Sequence, residues 1–169
     1  MRVLTEQEND GVLTYFEEAL HLAKQATCQR SQCGSVIVKD EVIIGRGYNS
    51  PPGDRESQRR CSCSKENLDR KVTDKTCCIH AEQRAIMDAL KANSQSIEDA
   101  RLYFIRINNQ GTIMHAGQPY CTLCSKMALD AGLSEFVLWH KEGITVYDTE
   151  EYNTLSYKYQ ECQLPHTSQ

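Results

Sequence analysis

Two short stretches of this 169-residue chain have to meet in space, and that requirement narrows its fold more than any composition. The first, "CCIHAEQRAI" (77–86), sets His80 and Glu82 two residues apart at the head of an apolar pattern with helical spacing. The second, "PYCTLC" (119–124), sets Cys121 forty-one residues after His80 and Cys124 three residues later. Packing gives a helix start no need for a His and a Glu. A zinc ion accepts one His and two Cys, and three protein ligands leave a fourth position for water. Cys-x-x-Cys at a helix start puts both sulfurs on one side of the first turn, where the helix N-terminus favours thiolates. Inside a regular helix His80 and Glu82 would diverge by about 200°. At the helix entrance, still partly extended, both can face one cavity. Two thiolates already neutralise the ion, so Glu82 suits proton transfer better than ligation.

Three other readings of the same residues stand beside this one. A closed structural zinc site needs a fourth Cys or His in register with the other three. A zinc dehydrogenase also uses two Cys and one His, but it needs a dinucleotide fold, and no G-x-G-x-x-G follows a strand here. A redox-active Cys-x-x-Cys leaves His80 and Glu82 without a purpose.

The rest of the chain supplies elements on which to mount such a site. Leu13, Phe16, Leu20, Ala23 and Thr27 recur at helical spacing, with Asp10 as N-cap or Thr5 and Glu8 as a capping box. "SVIVKDEVIIGRGYNS" reads as two strands about a tight turn at Asp40–Glu41. The pattern dissolves from Ser50 to Thr76, a loop rich in charge that carries Cys61 and Cys63. A loop this long is functional, disordered or stapled. Helical spacing returns at Ile79, Ala85, Ile86, Ala89 and Leu90; "RLYFIRI" is a buried strand. A helix beginning near Cys121 should end at Gly132 in the left-handed conformation, followed by the strand "EFVLW". The segment 148–159 reads as a Tyr-rich helix and "LPHTSQ" as a frayed end. With no repeat and no linker, the whole chain, 1–169, reads as one domain with a Tyr-rich extension from about 141. Its α/β class and element order predict three α/β/α layers about a central mixed sheet.

Composition enters mainly through charge and cysteine. A net charge of −4 gives no general basic footprint for nucleic acid. Basic residues crowd the long loop, from Arg55 to Lys75, but such a run reads as a solvated face. No apolar run reaches the roughly 20 residues needed to span a bilayer, and "MRVLTEQEND" has no signal-peptide core, so the expected place is the cytoplasm. Nine cysteines, an odd count, without an export signal point to metal rather than disulfides. Cys33 and Cys162 read as packing or surface residues.

Taken together, "HAE" and "PYCTLC" resemble the H-x-E…P-C-x-x-C signature of zinc-dependent nucleoside and nucleotide deaminases. "CGSVIVKDEVIIGRGYNS" is similar to the strand pair of the deoxycytidylate deaminase branch. The resemblance covers roughly residues 12–140 and implies a cytidine deaminase-like fold. It implies that His80, Cys121 and Cys124 hold a catalytic zinc, and that Glu82 carries protons from the attacking water to the ring nitrogen and the departing ammonia. Asn49 resembles the residue that holds the sugar; Gly34 and Ser35 resemble the backbone against the pyrimidine ring. Pro119 belongs to the segment that meets the leaving amine, here lengthened by Tyr120 before Cys121. Arg84 stands where this branch usually carries Asn and offers a partner for phosphate. Several members have a structural zinc joining the first helix, the long loop and the segment before H-A-E. By that resemblance Cys28, Cys61, Cys63 and Cys78 would hold it, with Cys77 as the alternative to Cys78.

The activity implied is hydrolytic deamination of a cytosine nucleotide, deoxycytidylate first, by a homo-oligomer acting on a small molecule. The alternatives are deamination of another nucleoside or base, or of a base in RNA or DNA, and a zinc-stabilised binding protein without catalysis. Retention of Glu82 counts against the last of these.

Overall fold

The computed structural model describes residues 1–93 and 97–159. The readings made of Cys162 and of the "LPHTSQ" end lie outside them. Each expected element is present, and three strands appear that periodicity did not reveal. Strands β1 (Arg2–Val3), β2 (Gln32–Lys39), β3 (Val42–Tyr48), β4 (Arg101–Ile107), β5 (Ile113–Met114), β6 (Glu135–His140) and β7 (Gly143–Asp148) form one sheet. Its order is β1-β7-β6-β4-β2-β3, with β5 added to β4. The β4–β6 pair is parallel and the others are antiparallel, so the sheet is mixed, as expected.

Helices α1 (Glu6–Gln25), α2 (Ala81–Asn93), α3 (Thr122–Asp130) and α4 (Thr149–Tyr157) cover the two faces. The period-2 alternation of the strands sorts the core into two layers. Val36, Val38, Tyr103, Ile105, Val137, Ile144 and Val146 meet Phe16, Ala19, Leu22 and Ala23 of α1. Ile37, Leu102, Phe136, Leu138 and Tyr147 meet Ala85, Ile86 and Ala89 of α2, Ala128 of α3 and Tyr152 of α4. The result is the three-layer α/β/α arrangement about a mixed sheet.

Local chemistry sets the boundaries. Of the two caps open to α1, the chain uses Thr5: its hydroxyl accepts from Glu8 N at 3.4 Å while Glu8 Oε2 accepts from Thr5 N at 2.8 Å. Asp10 lies inside the helix. At the hairpin, Asp40 (φ 48°) and Glu41 (φ 64°) both take left-handed angles, as a two-residue turn between twisted strands requires. Gly132 ends α3 at φ 79°. Helices pack close where the sheet lacks side chains. A Cβ on Gly34 would lie 1.9 Å from Ala19 O of α1, and one on Gly47 would lie 2.2 Å from Ala81 O of α2. The period of "GITVYD" did not mark it as a strand, yet it forms β7; Ile144 and Val146 fill the α1 layer and Tyr147 the opposite one. Asp148 then caps α4, its Oδ1 accepting from the N–H groups of Glu150 and Glu151.

The stretch between β3 and α2 has no α-helix or strand, only short 3₁₀ turns at Pro52–Asp54, Glu56–Gln58 and Lys65–Asn67. Its base is pinched shut by an antiparallel bridge between Ser50 and Ile79, with Ile79 N donating to Ser50 O at 3.0 Å.

Candidate active site

The N-termini of α2 and α3 converge over the sheet. His80 is the cap of α2: its carbonyl accepts from Arg84 N at 3.1 Å, and its N–H donates to Gln83 Oε1 at 3.0 Å. Gln83 thereby fixes the backbone that carries the imidazole. Cys121 caps α3, its sulfur accepting from Cys124 N at 3.4 Å. His80 Nδ1 lies 3.3 Å from each sulfur, and the two sulfurs lie 3.0 Å apart. Around a tetrahedral zinc these edges would be roughly 3.5–3.8 Å, so a slight opening of the triangle seats the ion. The donor set, one imidazole and two sulfurs at two helix N-termini, fits zinc in type and number.

Electrostatics at the cluster point the same way. Hydrogen bonding with Cys124, and then with His80, brings the Cys121 thiol down to about 4 against its burial. The Cys121 contact in turn raises His80 to about 9. The same contact and burial push Cys124 up. A sulfur held in its anionic form where two helix N-termini meet is a site prepared for a dication.

Glu82, on the first turn of α2, is buried, and that burial raises its carboxyl above the usual range. It lines a cavity of about 210 Å³ together with His80, Cys33, Asn49, Phe104 and Tyr120. Glu82, Phe104 and Tyr120 also line a neighbouring cavity of about 140 Å³, whose other walls include Arg106, His115, Trp139, Tyr152 and Tyr159. Tyr120, the extra residue before Cys121, therefore stands on the boundary between the two. Its ring lies 5.6 Å from that of Tyr159, so the Tyr-rich extension reaches the site.

The residues singled out in the sequence divide into those the structure gathers and those it does not. His80, Glu82, Cys121, Cys124 and Asn49 come together. Asn49 accepts from Cys33 N through Oδ1 (2.8 Å) and donates to Ser31 O through Nδ2 (2.9 Å), leaving one N–H and one lone pair. Gly34 faces α1, and the Ser35 hydroxyl donates to Tyr103 O at 2.8 Å in the interior. Neither lines a cavity; strand alternation puts Cys33 there instead. Pro119 is buried and lines neither cavity. Arg84 leaves the site by the opposite side of α2. Its Nη1 pairs with Asp54 at 3.2 Å, its Nη2 donates to Pro51 O at 2.9 Å, and its guanidinium sits 5.9 Å over the Tyr48 ring. Phe104 belongs to no motif in the sequence, and the alternation of "RLYFIRI" is the signal that could have found it. Tyr120 is visible there only as an added residue, with nothing to mark it as a cavity wall.

At the far end of the larger cavity lies a second group of donors. Cys28, Cys61, Cys77 and Cys78 bring four sulfurs within 4.8 Å of one another. Cys28–Cys77 is 3.9 Å and Cys61–Cys78 is 3.6 Å, close to the roughly 3.8 Å edge of a Cys₄ zinc site and far from a disulfide's ~2.05 Å. Cys63 is not among them. Its carbonyl accepts from Arg30 Nη2 at 2.5 Å, a contact that holds the backbone of its turn, and Cys77 joins Cys78 in the cluster rather than replacing it. Although burial opposes it, the backbone N–H of Gln29 and the hydrogen bonds of Cys77 and Arg59 bring Cys61 down to about 7.

Residues 11–140 match the family described as the cytidine and deoxycytidylate deaminase zinc-binding region. The chain is similar to deoxycytidylate deaminases of Schizosaccharomyces pombe (27% identity, 73% of this chain, 35% of that protein) and Mycobacterium phage D29 (29%, 71% and 86%). It thus spans about a third of the fission-yeast relative's length and most of the phage protein's. Among solved structures, the dCMP deaminase of cyanophage S-TIM5 superposes with a TM-score of 0.52 at 21% identity, over 79% of this chain and 82% of that one.

Proposed function

Because the chain belongs to the cytidine and deoxycytidylate deaminase zinc-binding family, we propose that it is a zinc-dependent hydrolase that converts deoxycytidylate and water to deoxyuridylate and ammonia. The observation that carries this reading is Glu82: a buried carboxyl on the wall of a cavity, beside three zinc-type donors. His80, Cys121 and Cys124 would hold a zinc ion, which when bound would supply the Lewis acidity that makes water nucleophilic near neutral pH. Glu82 accepts that water's proton and passes it to the ring nitrogen beside the amine-bearing carbon. Once the water oxygen has bonded to the amine-bearing carbon, Glu82 takes the second proton from that new hydroxyl and gives it to the amine; the carbon–nitrogen bond breaks, a carbonyl forms and ammonia leaves. Burial raises its affinity for the proton, which keeps the protonated carboxyl within reach between the two transfers. Phe104 and Tyr120 border the volume left for the ring, and Asn49 offers its remaining N–H and lone pair to the sugar.

The relatives' names support this substrate, as does the cyanophage enzyme, whose structure was solved with dCMP and dUMP. We also assign residues 1–169 to one catalytic unit working as a homo-oligomer, and a second, structural zinc to Cys28, Cys61, Cys77 and Cys78. The aromatic-walled cavity beyond Tyr120 favours, as the second reading, a larger substrate such as a cytosine in an oligonucleotide. Ammonia release from deoxycytidine, deoxycytidylate, its triphosphate and an oligodeoxynucleotide, measured at one ionic strength, separates the two. The proposal expects deoxycytidylate to lead in kcat/KM; an oligonucleotide preference overturns it.

A further inference from the structure

Arg84, the arginine that sequence suggested for the phosphate, is already occupied by Asp54 and Pro51. Another arginine has no such partner among the described residues. Arg106 sits on β4, partly buried, directly opposite Cys33 in the β2–β4 register. Cys33 lines the cavity that holds Glu82, so Arg106 stands beside that cavity's wall. It lines the aromatic cavity on one side and, on the other, an open recess of about 470 Å³ bordered by Arg30, Ser31, Asn108, Asn109 and Gln110. Among the described residues no carboxylate pairs with Arg106. A guanidinium drawn out of water without a counter-charge is costly, and an anionic ligand offsets that cost. Arg30, which borders both the recess and the reaction cavity, adds a second positive charge. Its Nε and Nη2 are committed to the carbonyls of Cys61 and Cys63.

We propose that Arg106 is the specificity-determining residue that binds the substrate's 5′-phosphate in the recess adjoining the reaction cavity. Arg30 and Ser31 border both the recess and the cavity, so the two are adjacent. A ring placed against Phe104 and Glu82, with its sugar at Asn49, would direct its phosphate to that side of the cavity. The planar fork of Arg matches two phosphate oxygens at once, which a single ammonium cannot. This inference rests on the deaminase reading above, and its test is arranged so that the two can fail separately.

Wild type, Arg106→Gln and Arg106→Lys are compared on deoxycytidine, deoxycytidylate and a single-cytosine oligodeoxynucleotide, with zinc content and melting temperature as controls for folding. The quantity read is the ratio of kcat/KM for nucleotide over nucleoside. It should fall about 10- to 100-fold in Arg106→Gln and be partly restored in Arg106→Lys. Should Arg106→Gln not fold, Arg106→Lys decides alone: a several-fold fall supports the assignment and an unchanged ratio overturns it. Binding is read independently from the fluorescence of Trp139, the chain's single tryptophan, which shares a cavity with Arg106. Deoxyuridylate should lose its affinity advantage over deoxyuridine in Arg106→Gln by the same factor. Unchanged ratios in a folded variant overturn the assignment, and so does a wild-type preference for the oligonucleotide. If wild type deaminates none of these compounds, the deaminase reading fails, while the two binding affinities still decide the role of Arg106.

Discussion

Glu82 is 7% exposed, and its carboxyl has work only if protons have to move. Replacing it by Gln keeps the shape and removes the titration. We expect Glu82→Gln to retain zinc and melting temperature while turnover falls about 10²- to 10⁴-fold. Metal analysis beside steady-state kinetics checks both halves, and near-normal turnover would remove the proton-shuttle role. At this scale the sequence was a good guide wherever ligand chemistry dictated identity. His80, Cys121 and Cys124 were legible because few residue types bind zinc and their spacing was informative. Arg84 and Cys63 were not, for the opposite reason: Arg and Cys are plausible at many positions, and only the direction of the side chain decides. Arg84 lies two residues beyond Glu82, about 200° around the helix, and so faces Asp54. Cys77 and Cys78 contribute together because the segment before His80 is irregular rather than helical.

Elements place these residues by packing. α2 can bring His80 to the site only because β3 offers Gly47 beneath Ala81. A methyl group there collides with backbone, so the first turn of α2 must lift. Gly47→Ala should lose about 1–3 kcal/mol of stability and also lower kcat, because the lifted turn carries His80 and Glu82. Chemical denaturation and metal retention test it, and an unaffected kcat would show that the turn does not move. The cap of α1 gives a prediction in pH. The Thr5 N–H, then Arg2, hold Glu8 at about 2, below its ordinary 4.5. A carboxyl depressed on folding contributes stability above pH 4.5 that is lost as pH falls towards 2. Glu8→Gln keeps the capping-box geometry and should flatten the acid limb of the melting profile in that window, modestly, since the group is exposed. Helices and long strands were legible from their periods. β1, β5 and β7 were not: the first two are two-residue strands, too short to show a period, and "GITVYD" shares its apolar residues between two core layers.

Over the whole molecule, two donor clusters bound one cavity: Glu82 and His80 at one end, Cys28, Cys77 and Cys78 at the other. Purified protein should therefore carry about two zinc ions per chain. Cys61→Ser with Cys78→Ser should reduce the count to one, leave the His80 site loaded, and make residues 51–78 sensitive to protease. One zinc per chain in wild type, with those thiols freely reactive, would remove the second site. The bridge between Ser50 and Ile79 has a different kind of consequence. It ties the two ends of the 51–78 excursion to each other before the metal or any side chain acts. A segment anchored in this way is nearly indifferent to its own length, since halving a loop changes the closure entropy by only about 0.6 kcal/mol. The part of the cavity wall around Lys65 and Thr76 thus tolerates changes of length. Descent or engineering can lengthen or trim it between Cys63 and Cys77, and so retune what enters, while the cysteines and the Asp54 and Pro51 contacts with Arg84 keep its place beside the helix start that holds Glu82.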